Sequence, residues 1–260
     1  MMRTIQQLFF VLVMLVGGGA SAQVAVAVEG RVAHPGVLAL TGQARLLDAL
    51  RAADVQPDAY LLGAAWLHRD AIAAQRELKV GLLFDLAVVE QAARLEGKAD
   101  LGELAGRLAD RVRAQPVTGR RTDTLDPVRV ELEARSNRRL GDGDRLVFPS
   151  RPVDVTVTGA VQADCVLPFV GLRSATQYRS DCPLHPHADP DWLYIVQPDG
   201  QVLRRGVALW NQDRDQALAP GARLVVPLSG KALRGRAEGL NEELAGFLAT
   251  QPVPSAESAR

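Results

Sequence analysis

The chain contains an internal repeat, in which residues 26–32 (VAVEGRV) match residues 155–161 (VTVTGAV), 129 positions later. In both copies an alternating apolar run ends at a glycine, and a second short apolar run follows. This pattern predicts a β-hairpin at the start of each copy, because one face of a strand recurs with a period of two. The copies also end alike, since 140–149 (LGDGDRLVFP) resembles 218–227 (LAPGARLVVP). The repeat therefore predicts two related domains, which we place at 23–151 and 152–229.

The first domain is longer because it carries a predicted helical insertion at about 70–115. In the second insertion helix, Asp100 and Glu103 have the spacing of a capping box, so we expect Asp100 to be the N-cap. Both helices are amphipathic and should bury their apolar faces. Those faces consist of Leu78, Leu82, Leu86, Val89 and Ala93 in the first helix and Leu101, Leu104, Leu108 and Val112 in the second.

The remaining segments of both domains are predicted to be mostly strands. The run from Tyr60 to Leu67 is one predicted strand, and the alternation of Val128, Val130 and Leu132 with charged residues indicates another. In the second domain, residues 192–203 form a predicted hairpin around a Pro-Asp-Gly turn. Helices and strands together indicate an α+β fold.

A predicted C-terminal amphipathic helix covers 230–251, followed by a tail at 252–260 that we expect to be disordered. The apolar stripe of this helix either docks back on the second domain or faces a partner protein. Its members are Leu240, Leu244, Phe247 and Leu248.

Residues 1–22 have the pattern of a secretory signal peptide. Arg3 precedes an apolar run at 8–16, and Ala20-Ser21-Ala22 is a small-x-small cleavage site. An uncleaved anchor is the alternative, but nine apolar residues fall short of the roughly 20 that span a bilayer. We therefore expect a mature chain from Gln23 that does not span a membrane, with the periplasm as its compartment.

The charge balance argues against nucleic acid as a partner. With 30 Lys+Arg against 30 Asp+Glu, the chain lacks the positive field that binding a phosphate backbone requires. Its only two cysteines, Cys165 and Cys182, are expected to pair in an oxidising compartment. Two free buried thiols and a redox-active pair are the alternatives.

Two segments contain residue types that could bind metal, but we predict no metal and no cofactor. His185 and His187 lie near Asp189 and Asp191, yet prolines between them make a stiff, extended loop. The acidic glycine turn at 141–144 lacks the ladder of an EF-hand loop.

No catalytic residues are predicted, since the chain has no Gly-x-Ser-x-Gly motif. A glycosidase-type carboxylate pair stays an open alternative, because the 30 acidic residues leave many pairs possible.

Three residues are candidates for binding a polysaccharide or a partner. Arg120 follows a Pro-x-x-Gly loop, where its guanidinium could pair with an acidic sugar or a partner's carboxylate. The structural alternative is that Arg120 or Arg121 caps a helix end or pairs with Asp123. Tyr60 and Trp66 could stack on a sugar ring, but their apolar context also suits the core.

Several segments in order resemble the capsule biosynthesis GfcC family over nearly the whole mature chain. They are 58–67 (DAYLLGAAWL), 116–120 (PVTGR), 142–152 (DGDRLVFPSRP), 195–200 (IVQPDG) and Trp210-Asn211. One departure is that His34-Pro35-Gly36 of the first hairpin is replaced by Ala163-Asp164-Cys165 in the second. The second hairpin is therefore expected to turn differently.

The resemblance implies two β-grasp-like domains, similar to the ligand-binding domains of outer-membrane polysaccharide export translocons. It implies a helical insertion, a C-terminal helix and no enzymatic activity. The expected function is thus a periplasmic accessory of capsule or exopolysaccharide export, with the export machinery or the polysaccharide as partner. A carbohydrate-active hydrolase or lyase is the alternative, and a generic periplasmic adhesin or binding module is a third.

Overall fold

The computed structural model describes residues 23–213, 217–233 and 235–254. The predicted signal peptide at 1–22 and the last six residues of the predicted tail lie outside these ranges. The first domain contains a five-stranded mixed sheet of order β2-β1-β5-β3-β4. Its strands are β1 Gln23–Gly30, β2 Gly36–Thr41, β3 Ala65–Leu67, β4 Arg120–Arg121 and β5 Arg145–Phe148, and its helices are α1 Leu46–Ala53, α2 Ala71–Leu95, α3 Ala99–Ala114 and α4 Pro127–Leu132.

The second domain repeats this arrangement in a sheet of order β7-β6-β10-β8-β9. In each sheet the first hairpin is antiparallel and the closing strand pairs in parallel with the first strand. The two-domain α+β prediction is confirmed. The strands are β6 Asp154–Gly159, β7 Cys165–Pro168, β8 Trp192–Val196, β9 Val202–Gly206 and β10 Arg223–Val226, and the helices are α5 Ala175–Ser180, α6 Gly230–Leu233 and α7 Leu240–Ala249.

The glycine that ends the first strand of each domain is required for the same structural reason in both. Gly30 and Gly159 have φ values of +90° and +97°, and a Cβ there would lie 2.0 Å from Phe148 O and 2.2 Å from Val226 O. In each sheet the closing strand thus lies directly beside the glycine that ends the first strand. Only glycine combines this close approach with a positive φ without strain.

The helical insertion packs on the second domain, although it interrupts the first domain in the chain. Leu82, Leu86 and Val89 of α2 are fully buried in a core cluster that includes strands β6, β8 and β10. The helix also contacts α3 and α7. The first domain has a separate core around Trp66 and Phe148. The insertion therefore completes the core of the neighbouring repeat.

The strand predicted from Val128, Val130 and Leu132 is wrong, because this segment is the short helix α4. Asp126 is its N-cap and accepts hydrogen bonds from the backbone N–H groups of Val128 and Arg129, with proline at the first helical position. Only the central valine is buried, so the alternation does not mark a half-buried strand.

Two further local predictions need correction. The predicted strand from Tyr60 to Leu67 is a 3-10 turn at Leu61–Gly63 followed by the short β3. Asp100 is not an N-cap, since α3 begins at Ala99 and the carboxylate lies in the first turn. There it still stabilises the helix through the macrodipole.

The predicted C-terminal helix is interrupted, with α6 and α7 separated by a segment that contains Gly235 and Gly239. The apolar stripe of α7 is buried in the core of the second domain, so the helix docks on its own chain. The chain stays packed to Val253, which is 3% exposed. Among the helices of the described ranges, none is long and apolar enough to cross a membrane.

Candidate functional site

A cleft of about 640 Å³ lies where the two domains meet. Its walls are the 3-10 turn of the first domain, the segment between β4 and α4, and the β8–β9 turn of the second domain. Clefts between domains are common places for ligands to bind. The lining consists of Leu61, Leu62, Ala64, Thr122, Asp123, Thr124, Asp126, Arg129, Asp199, Gly200 and Gln201.

Each of the three carboxylates in the cleft already has a structural partner. Asp126 Oδ1 accepts from the N–H of Val128 at 3.0 Å, and Asp199 Oδ1 accepts from the N–H of Gln201 at 2.9 Å. Asp123 Oδ2 lies 3.1 Å from Nε of Arg121. These contacts fix the orientation of the carboxylates, while the walls also offer hydroxyl and amide groups.

Gly200 brings the two walls together. Its φ is +87°, and a Cβ at this position would lie 2.7 Å from Thr122 Cγ2 and 3.2 Å from Ala249 O. The β8–β9 turn is therefore pressed against the first domain and against the end of α7. Glycine is required here both for its conformation and for its small size.

Arg120 lies beneath this turn and is 6% exposed. Its guanidinium donates to the carbonyl oxygens of Ala249 at 3.3 Å, Gln251 at 3.2 Å and Pro198. Burial, and to a lesser extent repulsion from Arg223, lowers the pKa of Arg120 to about 10. The carbonyl oxygens at a helix C-terminus carry partial negative charge, which favours a cation there. The contacts of Arg120 are thus those of a helix-capping residue.

Arg223 makes a second set of bonds at the same helix end. It donates to the carbonyl oxygens of Leu248, Gln251 and Pro252 at 3.0–3.1 Å. The buried Arg120 and the half-buried Arg223 therefore hold the last turn of α7 and the residues after it. The predicted ion pair with Asp123 is formed by the neighbouring Arg121, whose side chain is half-buried.

A buried glutamine completes the junction and was not predicted from the sequence. Gln75 of α2 donates to the carbonyl of Arg120 and accepts from the N–H of Gly119, both at 2.8 Å. Gln251 donates to the carbonyl of Pro116 at 3.1 Å, and Thr118 donates to that of Thr250 at 2.7 Å. In the sequence, Gln75 could have been recognised as a polar residue on the apolar face of the first insertion helix.

Tyr60 and Trp66 are also interior residues. Tyr60 donates its hydroxyl to the carbonyl of Pro220 in the second domain at 2.9 Å, and burial raises its pKa to about 12. Trp66 is fully buried and donates its indole N–H to Asp144 Oδ2 at 2.9 Å. Binding of a polysaccharide or partner by Arg120, Tyr60 or Trp66 stays a prediction, and the observed contacts of all three are structural.

Cys165 and Cys182 form a disulfide that ties β7 to the loop after α5. The histidine-containing loop lies near the start of α3, where His187 Nε2 is 3.1 Å from Asp100 Oδ2. The side chains of His185 and His187 stack on each other. Within the described part of the chain, no three histidine, cysteine or acidic side chains converge as metal ligands would.

Comparison with known proteins identifies both halves of the chain. A family model described as "Capsule biosynthesis GfcC, N-terminal" matches residues 20–149, and "Capsule biosynthesis GfcC C-terminal" matches 164–254. The chain is also 30% identical over 218 residues to the "Uncharacterized protein YjbG" of Escherichia coli (strain K12). That match covers 83% of this chain and 85% of the relative.

Proposed function

The chain belongs to the capsule biosynthesis GfcC family, and from this premise we propose that it is a non-enzymatic periplasmic accessory of capsule or exopolysaccharide export. Membership of the family supports a role in capsule assembly. In the proposed role, the interdomain cleft binds a segment of the polysaccharide, and the export machinery is the other expected partner. The observation that carries this proposal is the cleft itself, whose walls come from both domains.

The chemistry of the cleft suits a polymer rich in hydroxyl groups. Carboxylates accept hydrogen bonds from hydroxyls, and the threonine hydroxyls and Gln201 can both donate and accept. Leu61 and Leu62 provide an apolar surface for the carbon-bound hydrogens of a sugar ring. Three aspartates against Arg129 give the lining side chains a formal charge of −2. We therefore expect uncharged sugars to bind better than acidic ones.

A binding role is favoured over catalysis because the carboxylates of the cleft serve local structure. Asp126 caps α4 and Asp199 fixes the β8–β9 turn. The presence of several carboxylates in one cleft is nevertheless the observation that would support a hydrolase or lyase. Titration of the chain with polysaccharide, together with an assay for cleavage products, distinguishes binding from catalysis.

The disulfide is consistent with an extracytoplasmic protein, because disulfides persist in oxidising compartments. The signal-peptide pattern at 1–22 supports export, and the periplasm is the compartment that we propose.

The test uses residues 23–260 with polysaccharide purified from the host. Calorimetric titration should show binding that Asp199→Asn weakens at least several-fold, since the amide replaces an acceptor oxygen with a donor. Asp181→Asn, outside the cleft, is the matched control and should bind as the wild-type chain does. Release of reducing ends or unsaturated products would support the enzyme, and absence of binding by the wild-type chain would overturn the cleft proposal.

A further inference from the structure

Helix α2 has a second apolar face that no part of the described chain covers. Its inner face is buried in the core, but Val80, Phe84 and Leu95 on the outer face expose 62%, 68% and 81% of their surfaces. With Val88 and Gln91 they form one stripe, which we call the outer stripe, because these residues recur at the spacing of a helix face. Isolated exposed apolar residues are ordinary, but a continuous stripe marks an interaction surface.

The outer stripe combines a protruding side chain with a hollow. Phe84 projects from the helix, and a hollow of about 380 Å³ lies next to it toward the C-terminal end. Small side chains at Ala87 and Ala92 leave this space open, and Gln91 is one of the residues that line it. A hollow of this kind receives a large apolar side chain from a facing helix, as knobs enter holes in paired helices.

The stripe has the symmetry that pairing with an identical helix requires. Its large residues are placed evenly about a point between residues 87 and 88, so an antiparallel copy sets Val80 against Leu95 and Phe84 against Gln91. A twofold interface uses the same patch on both subunits and must be self-complementary in this way. In that register each Phe84 enters the hollow of the other copy.

The charges at the two ends of the stripe agree with the same register. Glu77 lies at the N-terminal end of the stripe, and Lys98 follows its C-terminal end. The antiparallel register brings Glu77 of one copy close to the turn between α2 and α3 of the other, where Lys98 lies, at both ends of the interface. Lys98 already contacts Glu96 at 2.7 Å, but an ammonium group has three donors.

We propose that the protein forms a homodimer through the outer stripe, with two α2 helices packed antiparallel about a twofold axis between residues 87 and 88. The stripe is about 22 Å long, at a rise of 1.5 Å per residue. Val80, Phe84 and Leu95 supply most of the apolar area of the stripe, and an interface this small is at or below the low end of specific interfaces. The dimer is therefore expected to be weak and reversible.

Sedimentation equilibrium of residues 23–260 between about 5 and 500 µM tests the association. The wild-type chain should pass from monomer to dimer, and Phe84→Glu should stay monomeric with an unchanged melting temperature, because Phe84 is exposed. Leu132→Glu replaces an equally exposed apolar residue on α4 and is the matched control that should still dimerise. A wild-type chain that is monomeric throughout, or a Phe84→Glu chain that dimerises equally, overturns the proposal.

Cysteine crosslinking tests the register, because both native cysteines are held in the disulfide. Val88→Cys lies beside the proposed axis and should form a covalent dimer on mild oxidation, since a disulfide needs Cα atoms within about 7 Å. Val80→Cys alone should not, because its two copies would be about 22 Å apart along the helices. Mixed Val80→Cys and Leu95→Cys chains should crosslink with each other. A covalent dimer of Val80→Cys alone would indicate parallel pairing and overturn the model.

A charge exchange gives an independent check of the same geometry. Glu77→Lys should weaken dimerisation several-fold, and adding Lys98→Glu should restore it, because the exchanged pair regains opposite charges. Failure of the double variant to recover affinity would contradict the proposed contact between the ends of the stripe.

Discussion

Replacing Arg120 with methionine removes three charged hydrogen bonds at the junction between the domains while keeping most of the side-chain volume. The carbonyl groups of Pro198 and Ala249 then lose this donor, while that of Gln251 keeps its hydrogen bond from Arg223. Each of the two unsatisfied buried carbonyls costs about 1–3 kcal/mol, and the lost charged bond to Gln251 costs about 1.5–3 kcal/mol, so the loss is about 4–9 kcal/mol. A relief opposes this loss, because methionine need not hold a charge in the interior.

The lowered pKa of Arg120 gives the free energy that its buried charge costs and that methionine avoids. Burial lowers the pKa of Arg120 from 12.5 to about 10, and a difference of this size corresponds to about 3 kcal/mol. The free energy of unfolding should therefore fall by about 1–6 kcal/mol in net terms. For a chain of this length, each kcal/mol corresponds to a decrease of about 2–4 °C in melting temperature.

Urea titration and thermal melting of Arg120→Met and Arg121→Met measure the difference between neighbouring arginines. Arg121 is partly exposed and pairs with Asp123, so its loss should cost about 1 kcal/mol or less. Equal effects of the two substitutions, or an unchanged melting temperature of Arg120→Met, would refute the capping argument. Polysaccharide binding measured in parallel shows whether Arg120 is instead a ligand contact, since binding would then be lost without loss of stability.

Three other predictions concern stability. Gly200→Ala should lower the free energy of unfolding by about 1–3 kcal/mol, because the new Cβ meets Thr122 at 2.7 Å, and urea titration with Thr122→Ser as a partial rescue checks this. Replacing Cys165 and Cys182 with serine should cost about 3 kcal/mol by opening the 17-residue loop, and reducing the wild-type chain should match it. Burial lowers the pKa of His185 below its usual 6.5, so stability present above that pH should be lost as the pH falls. His185→Gln should therefore flatten the fall in melting temperature between about pH 7.5 and 5.5, and an unchanged slope would exclude this histidine as its source.

The parts of the fold that could be predicted depend on short-range patterns. The repeated glycine was visible because each copy needs a residue that tolerates both a positive φ and a close approach of the neighbouring strand. The insertion helices were visible from their periodicity. Helix α4 was missed because five alternating residues suit a strand, although Asp126 and Pro127 are a typical helix start.

Other features depend on which elements meet in space, and periodicity does not contain that information. The apolar face of α2 was predicted, but nothing in its spacing indicates that it packs on the following domain. For Arg120 the sequence allowed both a binding role and a capping role. The carbonyl groups that it contacts belong to a turn and a helix end 78 to 131 residues away.

The packing of the insertion has a consequence for the cleft. Residues 71–114 belong to the first domain in the chain and to the core of the second in space, so the insertion anchors the first domain in the core of the second, while the first domain keeps a core of its own. Arg120, Gln75 and Gln251 add hydrogen bonds across the same junction. The walls of the cleft are therefore held by buried contacts on both sides, and a ligand meets a site whose shape is set before binding. Such a site loses little conformational entropy on binding, which allows weak contacts with individual sugar units to give measurable affinity. The junction between the domains also connects the cleft to α7, because the turn that carries Asp199 and Gly200 rests on the end of that helix.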